Sequence, residues 1–137
     1  MKNNLNVIKS VVREQFRVDL RADGLMHVHF FANTTVTIEL QSELEQVYET
    51  ITQVRRPFIY TGDEFVSITS EARANAIKMA ERIPCFASAI VVQNLAQKII
   101  ADYYYRFNKP PNPYKVFRKF DEGISWVKEN YSIPSVA

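Results

Sequence analysis

The chain has 137 residues, a formal net charge of +2, 47% hydrophobic and 12% aromatic residues, one cysteine and three glycines. That size and apolar fraction suit one soluble domain over 1–137 with a real core, and the lone Cys85 excludes an internal disulfide or a cysteine-rich zinc site and suits a reducing compartment. Gly24, Gly62 and Gly123 stand too far apart for a glycine-rich phosphate loop, and no run approaches the roughly 18 apolar residues of a membrane span, so a cytoplasmic protein is expected.

Residues 16–31 read as a hairpin: Phe16, Val18 and Leu20 alternate with polar partners, Ala22-Asp23-Gly24 supplies the turn, and Met26, Val28 and Phe30 alternate again. From Ile38 the period becomes helical, with Leu40, Leu44, Val47, Tyr48 and Ile51 on one face and Thr37 as N-cap. Pro57 ends that helix, Phe58-Ile59-Tyr60 forms a short strand, and a loop runs from Thr61 to Thr69. A second helix starts near Ser70, with Ala72, Ala76, Met79 and Ala80 on one face, and stops at Pro84.

The apolar run from Ala87 to Val92 predicts a central strand covered on both faces. Asn94 to Phe107 carries Leu95, Ile99, Ile100, Tyr103 and Phe107 at helical spacing, which sends several aromatics into the core, before Pro110, Pro111 and Pro113 impose a rigid connection. Tyr114 to Arg118 makes a last strand and Asp121 opens a final helix, after which the tail beyond Pro134 is expected to fray. The alternation calls for an α/β domain: a mixed sheet of about five strands, opened by an N-terminal hairpin and packed with about four helices.

The stretches Phe58-Ile59-Tyr60, Ser67-Ile68-Thr69-Ser70-Glu71-Ala72-Arg73, Ala87-Ser88-Ala89-Ile90-Val91-Val92 and Phe117 to Trp126 resemble the STAS-like proteins related to the sporulation anti-anti-sigma factor, including small bacterial members of STAS or CRAL-TRIO-like type. The resemblance covers about 16–131 and implies a non-enzymatic, SpoIIAA-like interaction domain. In signalling members a serine at the start of the helix after the third strand is phosphorylated by a partner kinase. The matching position is Ser70, beside Thr69, where a phosphate would meet free backbone N–H groups of a helix start. Those members carry an aspartate, two serines and a glycine at this junction, whereas Thr69-Ser70-Glu71-Ala72 stands here; the plain structural role is a helix cap.

Other groupings yield candidate surfaces. Asp63, Ser67, Thr69, Ser70 and Arg73 form the expected contact site for a protein partner. An alternative function, carriage of a lipid or small apolar ligand, would use a pocket lined by Phe65, Met79, Ile99, Tyr103 and Trp126. Arg106, Lys109, Lys115, Arg118 and Lys119, interleaved with aromatics and free of acids, form a candidate basic surface for an anionic membrane or an acidic protein rather than nucleic acid. Glu39, Glu43, Glu45 and Glu49 make the first helix acidic, which would allow homodimerisation by charge complementarity.

His27 and His29 share one face of a strand without a third ligand nearby, so they are assigned to the polar sheet face rather than to a metal. Cys85 is expected to pack as a small residue, and Gly62-Asp63-Glu64-Phe65 to form a solvated turn with Phe65 folded against the domain. No acid, base, nucleophile or metal set is assembled, so neither an enzyme nor a cofactor is expected.

Overall fold

The computed structural model describes residues 6–107 and 109–136, apart from the side chain of Phe107. Chain order is β1 (Val7–Val12), β2 (Phe16–Arg21), β3 (Met26–Phe30), β4 (Thr35–Val36), α1 (Ile38–Ile51), β5 (Arg56–Gly62), β6 (Ser67–Ile68), α2 (Ser70–Met79), β7 (Cys85–Val91), α3 (Leu95–Phe107), β8 (Tyr114–Phe117) and α4 (Phe120–Asn130). One six-stranded sheet runs β1-β2-β3-β5-β7-β8, and β4 and β6 form a separate two-stranded ladder.

The hairpin pairs as its alternation predicts, Phe16 opposite Phe30 and Val18 opposite Val28. Gly24 in its turn has φ +89°, and a Cβ there would lie 2.5 Å from the carbonyl oxygen of Pro134, so both conformation and space require glycine. From β3 onward every pairing is parallel. The strand order advances in one direction, so right-handed crossovers set α1, α2 and α3 on the same face of the sheet. The chain then turns back and lays α4 on the other face, where Gly123 comes close to Ile59 and Ala89.

Two cores result. Phe16, Val18, Met26, Val28 and Phe58 meet Leu40, Leu44, Val47 and Tyr48 of α1, while Leu25, Ile59, Ala89 and Val127 pack beneath α4. Thr37 caps α1 by accepting from the Leu40 N–H at 3.1 Å, as its position predicts.

Several local expectations change. β1 escapes pattern reading because Lys9 and Ser10 interrupt its apolar residues and it lies exposed at the sheet edge. The run expected to be central is interior but one strand from the edge, between β5 and β8. The tail is docked rather than frayed: buried Arg56 donates to the carbonyls of Pro134 (2.8 Å) and Ser135 (3.1 Å), and also to Gly24 and Thr52. With four oxygen acceptors the guanidinium has the hydrogen bonds that burial of a charge demands.

The most consequential change is in α3. Leu95, Ile99, Ile100 and Tyr103 are 55–68% exposed, and Tyr104 and Tyr105 turn inward instead. Helical spacing established an apolar face but not what covers it. Phe65 also departs from expectation: it is 76% exposed at φ +63°, in the left-handed region that bulky residues avoid.

Candidate functional site

Between the sheet and the helices of its α1–α3 face lies a cavity of about 510 Å³. Leu44 and Tyr48 of α1, Tyr60 of β5, and Cys85, Ser88 and Ile90 of β7 contribute to its walls. Local sequence explains the space. The inner side of α2 and its C-cap offer the short side chains of Ala76 and Ala80, while α3 presents the bulky Tyr104 and Tyr105. Tyr105 stacks on Tyr114 with ring centroids 4.6 Å apart, and the Tyr104 hydroxyl donates to the Arg73 carbonyl at 3.3 Å.

The deep polar groups are neutral. Burial pushes the Cys85 thiol up to about 11, despite the opposing Ser88 hydrogen bond. Burial likewise raises the Tyr48, Tyr60 and Tyr105 phenols well above their ordinary value. Cys85 is thus a packed thiol with no thiolate character, as expected from its sequence surroundings. Charge enters only at Asp63 and Arg73 among the described lining residues.

A second polar grouping, at the carboxyl ends of β3 and β5, joins His27 and His29 to Thr61 and Asp63, which also border the cavity. The Thr61 hydroxyl lies 2.7 Å from His27 Nε2 and 2.6 Å from His29 Nδ1, and His29 Nε2 lies 3.0 Å from Asp63. With neutral imidazoles, one proton per bond permits one arrangement: His29 Nε2 donates to Asp63, Thr61 donates to His29 Nδ1, and His27 Nε2 donates to Thr61. The histidines do share one face, but it is the face that α4 covers rather than a polar one, and His27 is 4% exposed with Phe120 packed on it at 5.2 Å. Among the described residues no three His, Cys, Asp or Glu are placed to hold a metal.

The expected contact site divides. Asp63, Ser67 and Arg73 lie at the cavity. Thr69 is the cap of α2, accepting from the Ala72 N–H at 3.0 Å, and exposed Ser70 donates to Glu71 at 2.9 Å. Of the expected apolar pocket only Met79 lines the cavity. Phe65, Ile99 and Tyr103 are exposed, and Trp126 packs on Phe117 and Tyr131 in the α4 layer. Those five residues therefore do not enclose one space.

The basic residues do not converge either. Arg106 and Lys109 precede β8 while Arg118 and Lys119 follow it, and Lys115 lies over the Phe117 ring; four strand residues alone separate the two pairs by about 13 Å. On the acidic helix, Glu43 pairs with Arg13 and Glu45 with Arg82, which removes part of the charge available to a second copy. Sequence reasoning missed Tyr60, Tyr104 and Tyr105 as lining residues; the consecutive tyrosines of α3 were the available signal.

The family model described as Domain of unknown function (DUF7793) matches residues 18–131. The chain belongs to this family. No match exists among curated proteins. This DUF7793 domain is similar in structure to an uncharacterized protein of the DUF3478 family with a SpoIIAA-like fold from Shewanella loihica PV-4, with TM-score 0.53 and 14% identity over 92% of this chain and 98% of that one. The likeness is one of fold, and the fold is the STAS-like, SpoIIAA-like arrangement that the sequence resemblance implied. Among the described residues no helix is long and apolar enough to cross a membrane.

Proposed function

We propose that this STAS-like domain is a non-enzymatic binding module whose occupant is a small apolar or amphiphilic molecule held between the sheet, α2 and α3. The observation that carries this reading is the cavity of about 510 Å³, within the roughly 300–1,000 Å³ usual for small-ligand sites. Its walls are mostly aliphatic and aromatic, with uncharged polar groups among them and charge at Asp63 and Arg73, the kind of lining in which placed polar groups orient a ligand. Exposed Ile68 and Ile100 belong to the lining and make its opening apolar.

Titration with the neutral fluorophore N-phenyl-1-naphthylamine tests this. Saturable one-to-one enhancement is expected in the wild type and should vanish in Ala76→Phe, which fills the space, while the thermal midpoint holds or rises. Absence of saturable binding, or full binding in folded Ala76→Phe, overturns the reading.

A regulatory role at the helix start has its own support. Because Thr69 does the capping, Ser70 is left exposed in the first turn of α2 with its hydroxyl on Glu71, where a phosphate would change the charge one turn from Arg73. Under this reading Ser70→Asp alters ligand uptake; identical binding curves for Ser70→Asp and wild type count against it.

A further inference from the structure

The charged residues of the cavity carry the ligand assignment one step further, resting on the binding-module reading above. Arg73 is the cation among the described lining residues and Asp63 the anion. Asp63 is engaged by His29 Nε2 at 3.0 Å. Arg73 forms no ion pair with any described residue. Its guanidinium instead lies 5.5 Å from the centre of the Tyr104 ring, and the Tyr104 hydroxyl donates to the Arg73 backbone carbonyl at 3.3 Å. One residue of α2 and one of α3 therefore meet beside the cavity through a cation and an aromatic face, an arrangement that directs the guanidinium without neutralising it. The lining also includes Ile77, Tyr60 and buried Met79 and Cys85, whose polar atoms are uncharged at neutral pH.

We infer that the ligand is an amphiphile with one terminal carboxylate, seated with its chain in the cavity and its carboxylate on the Arg73 guanidinium. The guanidinium fork offers two parallel N–H donors that match the two oxygens of a carboxylate. A single unpaired cation balances a single negative charge, whereas a phosphate monoester would bring nearly a second charge towards Asp63 with no cation to meet it. At about 30 Å³ per water-sized group, 510 Å³ accommodates a chain of about twelve to sixteen carbons. The Tyr104 ring, 5.5 Å from the guanidinium, would lie beside the start of that chain and link ligand binding to the position of α3.

The test is displacement of N-phenyl-1-naphthylamine by dodecanoate, 1-dodecanol and dodecyl phosphate, each below its aggregation limit at pH 8, for wild type and Arg73→Gln. Expected is an advantage of dodecanoate over dodecanol of about tenfold in Kd in the wild type. That advantage should be lost in Arg73→Gln while the dodecanol Kd stays within about twofold, which also shows that the cavity survived the substitution. Dodecanol binding as tightly as dodecanoate in the wild type, an unchanged ratio in Arg73→Gln, or dodecyl phosphate outcompeting dodecanoate overturns the carboxylate assignment. If neither the fluorophore nor dodecanol binds, the cavity reading fails and takes the anchor with it; if dodecanol displaces the fluorophore and dodecanoate has no advantage, the anchor alone fails.

Discussion

Helices α1 and α3 cross the same face of the sheet, and both carry an apolar stripe at helical spacing, yet they are used in opposite ways. α1 buries Leu40, Leu44, Val47, Tyr48 and Ile51 against β2, β3 and β5. α3 turns Leu95, Ile99, Ile100 and Tyr103 outward and touches the rest of the domain chiefly through Tyr104 and Tyr105. One helix builds the scaffold and the other covers a cavity. Amphipathicity shows that a face must be satisfied, while the neighbouring elements decide whether the protein itself satisfies it. Here α2, with its alanines, meets α3 at Arg73 and Tyr104 and leaves the apolar stripe of α3 uncovered.

Truncating one residue of each helix separates the scaffold from the cover. Leu40→Ala removes a side chain that is 3% exposed and should lower unfolding free energy by about 2–5 kcal/mol, read by urea denaturation. A loss below about 1 kcal/mol there would mean that α1 is not the scaffold helix.

Alkaline titration probes the cavity floor that both helices share. Cys85 has its thiol raised from 9.0 to about 11 by burial, and buried phenols come from α1 (Tyr48) and α3 (Tyr105). The neutral form is favoured in the folded state, so this contribution is complete below pH 9 and is lost as pH rises from about 9 towards 11. For Cys85 alone the loss is roughly 2–3 kcal/mol over that window. Denaturation midpoints should hold from pH 7 to 9 and fall beyond, more gently in Cys85→Ala. A midpoint that rises above pH 9 would contradict the burial of these groups.

The smallest expected effect lies on the outer side of α3. Ile99→Ala should change stability by no more than about 0.5 kcal/mol, because 60% of Ile99 is already in water. A loss comparable to that of Leu40→Ala would show that α3 packs more tightly than its exposure indicates.

Much of the fold was legible because local patterns and tertiary demands agree in this chain. Phe16, Val18 and Leu20 alternate because one side of β2 faces α1, and Thr37 and Thr69 stand where caps are needed. β1 was not legible, since an edge strand with one neighbour and little burial needs no regular alternation. The site was legible only in part. Asp63, Ser67, Arg73 and Met79 were singled out, but the pocket drawn from α3 used the wrong side of the helix, and Trp126 lies beneath the sheet's other face. Phe65 could not be placed either, because φ +63° at a bulky residue is a loop conformation that no pattern announces.

The order of strands and helices, the turns that join them and the apolar stripes they carry follow from residue spacing and from the backbone preferences of each residue. Tertiary structure alone decided which stripes are covered. It brought Arg56 to the tail, joined Thr61 to two histidines of another strand, and left about 510 Å³ beneath Tyr104. Those outcomes depend on how far helices stand from a sheet, a distance set by side chains that meet only once the chain has folded.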